Sequence, residues 1–302
     1  MTTLRLATRR SALALAQSHT VSEAITTRTG IEVELVPVMS EGDRNTAPLR
    51  EIGGVGVFVT AVREALLSGA ADVAVHSLKD LPTAAQASLL LAAVPPRADV
   101  RDAVVALNGP LADLAPGSRV GTGSPRRAAQ LHELRPDLEV VDIRGNVDTR
   151  IGLVDRAEVA AVVLAMAGLE RLGRTDRVTE VLPADVMMPA PGQGALAVET
   201  RIDDVAAIAA VAALDDPSTR AAVTAERALL QYLEAGCTAP VGALATVVGP
   251  KIFLKAVAYG TDGSAFRVSV GGSVAAPADL GRAAAEQLLA EGAGRLAQGA
   301  FR

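Results

Sequence analysis

The 302-residue sequence holds one cysteine, Cys237, and no tryptophan. A single thiol excludes a disulfide within the chain and a zinc site built on several thiolates. The three histidines are scattered and form no metal-ligand spacing. Aromatic residues make up only 2%, so stacking platforms for single-stranded nucleic acid are missing. A formal net charge of -5 removes bulk attraction to a phosphate backbone. No stretch reaches the roughly 18 apolar residues of a membrane span. At the N-terminus, Arg9 and Arg10 precede an apolar run, as in an export signal. Gln17, Ser18 and His19 interrupt that run within two helical turns. The expectation is a cytoplasmic protein, in which a reducing environment keeps the lone thiol free.

What is present is equally selective. Half of the residues are apolar, which with so few aromatics means cores of Ala, Val and Leu. Buried parallel strands covered by helices have that composition. Lys79, Lys251 and Lys255 are the only lysines, so arginine supplies the other 26 of the 29 basic residues.

Strand-like and helix-like patterns alternate along the first two thirds. "LRLAT", "IEVELVPVM" and "ADVAVHS" read as strands, and "SALALAQSHTVSEAI" and "VFVTAVREALLSG" as helices. The alternation restarts with "SRVGTGS" as a strand and "PRRAAQLHEL" as a helix, with Ser124 as N-cap and Pro125 in the first turn. It continues through "LEVVDIRGN" and "AEVAAVVLAMAGL". This pattern predicts α/β domains with mostly parallel sheets. From about Asp215 the style changes to a helix, a hairpin around "GTDGS" and a closing helix from about Asp279 to Ala297. "GGVG" at Gly53–Gly56 lacks the Gly-Lys-Ser/Thr ending of a phosphate loop and reads as a lid or a flexible loop.

Four polar clusters fall where predicted strands give way to helices: "TRRS" (Thr8–Ser11), "HSLKD" (His76–Asp80), "GTGSPRR" (Gly121–Arg127) and "RGNVDTR" (Arg144–Arg150). Strand carboxyl ends form the ligand crevice of open α/β sheets. Helix N-termini offer unpaired N–H groups, and arginine binds carboxylates in bidentate fashion. Repetition in two consecutive units predicts a ligand with several negative charges. Within "HSLKDLP", His76 reads as structural, and Asp80 reads as a helix cap or as a loop carboxylate before Leu81-Pro82. Among cations such a carboxylate stays ionised and can stabilise a developing positive charge. Cys237 follows a helix and Gly236. The residues alone leave two roles open: inert packing, or one covalent function.

The motifs "ATRRSALALAQ", "HSLKDLP", "GTGSPRR", "IRGNVDTR", "AMAGLERLG", "APGQGAL", "VTAERALL" and "LEAGCTAPVG" occur in the order of porphobilinogen deaminases, also called hydroxymethylbilane synthases. The chain resembles that family from about Arg5 to Gly242, and more loosely beyond. The resemblance implies two periplasmic-binding-protein-like α/β domains enclosing a cleft, plus a small C-terminal α/β domain. The corresponding division is 1–94 with 190–214, then 95–189, then 215–302. It also implies a transferase that deaminates four porphobilinogen molecules and joins them head to tail on a covalent dipyrromethane primer, releasing hydroxymethylbilane for haem and other tetrapyrroles.

Carried over residue by residue, Cys237 is the thioether anchor of the dipyrromethane, and Gly236 leaves room for the linked ring. Lys79, Thr122, Ser124, Arg126, Arg127, Arg144, Gly145 and Arg150 bind the cofactor, with Asp80 both cofactor-binding and catalytic. Arg9, Ser11, Gln17, Arg171 and Gln193 face the substrate or growing chain. No metal is implied. The partner is small-molecule porphobilinogen, without nucleic acid or membrane, and the protein is expected to be a monomer. Each pyrrole carries an acetate and a propionate. At full extension about twelve carboxylates need partners, each costing several kcal/mol if left unpaired away from water.

Two departures stand out. Lysines common in the family near "GGKG" are replaced in the 41–56 loop and just after it by Glu51, Val55 and Thr60, with Arg44 and Arg50 as candidate substitutes. Gly123 and Pro125 stand where many members have Ser and Leu. The competing reading is a non-catalytic anion-binding protein of the same two-lobed fold. Asp80, Cys237 and the third domain count against it.

Overall fold

A computed structural model describes residues 3–39, 59–235 and 239–293. Cys237, Gly236, the "GGVG" segment, and Arg44, Arg50, Glu51 and Val55 lie outside the described residues. The chain divides into two compact units, Met1–Ala98 with Ala195–Arg220, and Asp99–Gly194 with Ala221–Arg302.

In the first unit, β1 (Thr3–Arg9) leads through the N-cap Ser11 into α1 (Ala12–Thr29). Gly30, at φ 72°, ends that helix in the left-handed conformation glycine tolerates. The chain continues through β2 (Glu32–Val38), α2 (Thr60–Leu67), β3 (Val73–Ser77) and β4 (Leu89–Ala93). It returns after the second unit's α/β portion as β10 (Leu196–Arg201) and α6 (Val205–Ala212). The sheet order is β2-β1-β3-β10-β4. Both faces are covered, as the continuous apolar strands require. On one face Leu4, Leu6, Val73, Val75 and Val198 pack with Val21 and Ile25 of α1. On the other, Ala7 and Ala74 pack with Val62 and Leu66 of α2. Each such Leu, Ile or Val contributes about 1.5–3 kcal/mol through burial.

The second unit contains β5 (Asp102–Ala106), β6 (Arg119–Gly121), α3 (Pro125–Leu134), β7 (Glu139–Val141), α4 (Val147–Asp155), β8 (Ala161–Ala165), α5 (Met166–Arg171) and β9 (Glu180–Leu182). Its sheet order is β7-β6-β8-β5-β9. In both sheets the first three strands are parallel and the fourth is antiparallel to both neighbours. Four of the five strands in each sheet thus run the same way, as the expectation of mostly parallel sheets has it, with one antiparallel strand inserted. The antiparallel strands β10 and β5 come from outside the βα alternation from which parallel order was inferred.

The same unit holds a third sheet, the antiparallel meander β11 (Val241–Val248), β12 (Lys251–Tyr259) and β13 (Ala265–Ser273). The β12–β13 turn falls on "GTDGS" as the sequence predicts, where Gly260 N donates to Ser264 O at 2.8 Å. Helix α7 (Pro217–Tyr232), in which the unit boundary falls, and helix α8 (Pro277–Ala290) cover this sheet. Ala225, Leu229, Ile252, Leu254, Ala284 and Leu288 form its core. The closing helix starts two residues before the expected Asp279 because Pro277 suits a first turn.

Candidate active site

In the first unit the candidate residues gather at the carboxyl ends of two adjacent parallel strands. β1 pairs with β3 through Leu6–Val73 and Ala7–Ala74, so both strands finish at the same edge of the sheet. Arg9 ends β1, and Ser11 caps α1 by accepting from Ala14 N at 3.4 Å. Gln17, nearly two turns further on, is buried. Its Nε2 donates to Ser77 Oγ at 2.8 Å, tying α1 to the end of β3. Lys79 and Asp80 follow directly in a single 3-10 turn, Leu78–Asp80, closed by Leu81 N donating to Leu78 O. Asp80 is thus in a tight turn, with its carboxylate exposed to water.

The end of β3 is held from the opposite face as well. His76 is buried, with Nε2 3.2 Å from Glu199 Oε2 on β10. Arg63 of α2 clamps the same carboxylate through Nε and Nη2 at 2.9 and 2.7 Å. Burial alone would raise Glu199, but the imidazole of His76 beside it and the two hydrogen bonds from Arg63 outweigh burial and bring the carboxyl down to about 2.

In the second unit, Thr122, Ser124, Arg126 and Arg127 occupy the β6–α3 junction. Thr122 is buried, and its Oγ1 accepts from Ser124 N at 3.2 Å. Ser124 caps α3, accepting from Arg127 N. Gly123 lets this loop meet the one after β7: a Cβ there would lie 2.7 Å from the carbonyl oxygen of Ile143. That second loop carries Arg144 and Gly145. Gly145 has φ 103°, a conformation that suits glycine. Arg150 Nε donates to the Gly145 carbonyl at 2.9 Å, folding the loop back on α4.

Arg126 and Arg127 converge on Asp102, the first residue of β5. Arg126 Nη2 donates to Asp102 Oδ2 and Arg127 Nη2 to Oδ1, each at 2.7 Å. Gln193 Nε2 adds a bond to Oδ1 at 2.9 Å and another to the Val100 carbonyl at 2.8 Å. All four side chains are buried. Burial would raise Asp102, but the two guanidiniums outweigh it and hold the carboxyl well below its ordinary range. Burial pulls Arg126 down from its ordinary value. One carboxylate faces two guanidiniums, so the cluster keeps a positive charge. Among the described residues no acceptor reaches the buried Nε atoms of Arg126, Arg127 or Arg144. Arg171, half-buried on α5, donates from Nη2 to the Gly194 carbonyl at 2.7 Å, and burial lowers it too.

The comparisons with known proteins bear on this geometry directly. A model described as porphobilinogen deaminase, dipyromethane cofactor binding domain, matches residues 4–209. A second, for the C-terminal domain of porphobilinogen deaminase, matches residues 220–290. The chain is 54% identical to porphobilinogen deaminase 1 of Streptomyces coelicolor, over 97% of each chain. It is 56% identical to the porphobilinogen deaminase of Thermobifida fusca, covering 87% of this chain and 83% of that one. The chain belongs to the porphobilinogen deaminase family. Among solved structures it is similar to the methionine-binding protein MetQ, at 14% identity and a TM-score of 0.46, over 70% of this chain and 89% of that one.

The residues fit the cofactor in the family model's description. A dipyrromethane bearing acetates and propionates needs several cationic donors. The β6–α3 and β7–α4 loops of this porphobilinogen deaminase family member supply a buried cluster with excess positive charge beside Arg144 and Arg150. Sequence reasoning missed Asp102. The available signal was an acid opening the otherwise apolar strand "DAVVA", where burial demands a cationic partner.

Proposed function

We propose that this chain deaminates porphobilinogen and joins four molecules head to tail on a dipyrromethane primer, releasing hydroxymethylbilane. It is a transferase of tetrapyrrole biosynthesis, in keeping with two family models that together span residues 4–209 and 220–290. The observation that carries the reading at the level of residues is the Asp102–Arg126–Arg127 cluster, whose charge is left half-neutralised in a buried place.

In this reading Cys237 is the thioether anchor and Gly236 accommodates the ring beside it. When bound, the primer supplies the pyrrole carbon to which the first substrate unit is joined. Lys79, Thr122, Ser124, Arg126, Arg127, Arg144, Gly145 and Arg150 hold its carboxylates. Arg126 and Arg127 act from positions fixed by Asp102, so their orientation is set before the anion arrives, which reduces the ordering cost of binding. Arg9, Ser11, Gln17, Arg171 and Gln193 bind substrate or growing chain. Loss of ammonia from porphobilinogen leaves a cation delocalised over the pyrrole. The Asp80 carboxylate stabilises that charge more than it does the neutral substrate, and it accepts the proton released after carbon–carbon bond formation.

The proposed domain division is 1–94 with 190–214, 95–189 and 215–302. The protein is read as a cytoplasmic monomer acting on a small molecule, with no role for nucleic acid or membrane. The net charge of -5 supports this reading, and among the described residues no helix is long and apolar enough to cross a membrane. Intact mass spectrometry of the purified chain tests the function. We expect an adduct of two linked pyrroles, absent in Cys237→Ala. A bare mass for the wild-type chain together with inactivity toward porphobilinogen would favour the anion-binding alternative.

A further inference from the structure

We infer that Glu133, Tyr259 and Arg267 form a latch that sets the register of the arginine-bearing helix on the sheet that follows the cysteine in the chain. Glu133 and Tyr259 would then be positioning residues for the primer. The inference rests on the functional reading above. It concerns residues with no contact to the primer in that reading.

Helix α3 carries Arg126 and Arg127 in its first turn and has Glu133 as its penultimate residue. Tyr259, 1% exposed at the end of β12, donates its hydroxyl to Glu133 Oε2 at 2.5 Å. Arg267 of β13 donates from Nη2 to both Glu133 oxygens, at 2.6 and 2.5 Å. Between the two ends of the helix, Ala129 packs with Val257 and Tyr259.

The N-terminal end of α3 is clipped to the same sheet through Met188. Its carbonyl accepts from Arg126 and, at 3.1 Å, from Gln130; its N–H donates to Gln130 Oε1 at 2.6 Å. Gly242 of β11, five residues after Cys237, sits so close that a Cβ would lie 2.8 Å from Met188 Cγ and 2.9 Å from its carbonyl oxygen. Ala243 N then donates to Pro189 O at 2.9 Å. The helix that carries the arginines is thus fastened at both ends to the sheet that begins just after the cysteine.

Strength is not what the latch supplies. The Glu133 and Arg267 side chains are 42% and 55% exposed, and such pairs contribute little. The Tyr259 hydroxyl is different: buried in an otherwise apolar contact, it needs its acceptor in one place, and so selects one register of helix on sheet. A group tethered covalently at one point and held by ion pairs at another is sensitive to that register. A misplacement of about 1 Å can cost on the order of 10²-fold in rate.

The test uses the full chain prepared without its primer, as Tyr259→Phe, Glu133→Gln and Arg267→Gln variants. Covalent primer acquisition is followed by intact mass, far below the melting temperature, and Cys237 alkylation is timed in parallel. We expect Tyr259→Phe and Glu133→Gln to acquire the primer at least about tenfold more slowly, by the misplacement argument above, while alkylating at the wild-type rate. Arg267→Gln should show a smaller slowing. Acquisition within twofold of wild type in the first two variants would overturn the latch, whatever their melting temperatures. If Tyr259→Phe does not fold, Glu133→Gln decides by the same readout. A wild-type chain that never acquires the adduct would instead refute the functional reading.

Discussion

The Asp102 carboxylate accepts from Arg126 across 2.7 Å with both side chains buried, joining the first residue of a strand to the first turn of a helix. Arg127 takes the other oxygen at the same distance. Removing this carboxylate strands two guanidiniums away from water. Asp102→Asn should therefore destabilise the fold by about 3–5 kcal/mol, the usual result of breaking a buried ion pair from one side. Denaturant unfolding measures this. A loss below about 1 kcal/mol would show that the cluster is hydrated.

Asp102 also makes a prediction about pH, shared with Glu199. Both carboxyls are held below their ordinary values of 3.8 and 4.5, Glu199 at about 2. The unfolded chain therefore binds their protons more readily than the folded one. Their stabilisation is complete above about pH 4.5 and is lost as pH falls toward 2. Unfolding free energy measured over that window should fall less steeply in Asp102→Asn and in Glu199→Gln than in the wild type. Identical slopes would contradict the shifts.

Gly123 predicts a local effect with a chemical readout. A methyl group there meets the Ile143 carbonyl, a backbone atom unable to swing away. Gly123→Ala should push apart the loops bearing Ser124 and Arg144, at a cost of about 1–3 kcal/mol in stability. Primer content, read from intact mass, should fall with it. Wild-type loading and stability would mean that the two loops separate without consequence.

Arg144 and Arg150 are both half-buried, on the β7–α4 loop and on α4. Replacement of either by leucine should leave the fold largely intact and weaken retention of the carboxylates by about 1.5–3 kcal/mol per charged hydrogen bond. The measurement is primer occupancy and KM for porphobilinogen in each single variant. Unchanged values in both would remove these arginines from the site.

Asp80→Asn keeps the shape of the turn and removes the charge. Protein that carries its primer should turn over at least about 10²-fold more slowly, a magnitude typical of losing one electrostatic group. Near-normal single-turnover rates in primer-loaded Asp80→Asn would assign the chemistry elsewhere.

Local features were the most legible in the sequence. Ser124 and Pro125 marked the start of α3 because capping is decided within one turn. The "GTDGS" hairpin was readable for the same reason. Non-local pairing was not. Nothing in "LAVETR" states that it inserts antiparallel between β3 and β4, more than a hundred residues upstream. The arginine pair was visible as a cluster of charge, but its use of Asp102, 24 and 25 positions away, depends on sheet order. The expectation that these arginines meet a ligand took no account of a resident carboxylate.

The late arrival of β10 also imposes an order on synthesis. Among the described residues, strand β4 has β10 as its only partner in the first sheet, and β10 ends at Arg201. The second five-stranded sheet has all its strands by Leu182. On the ribosome, the half of the molecule made first therefore waits with an open sheet edge while a later-made sheet closes. For that interval the nascent chain leaves the apolar "LLLAA" of β4 without its native neighbour, a ready template for a wrong partner.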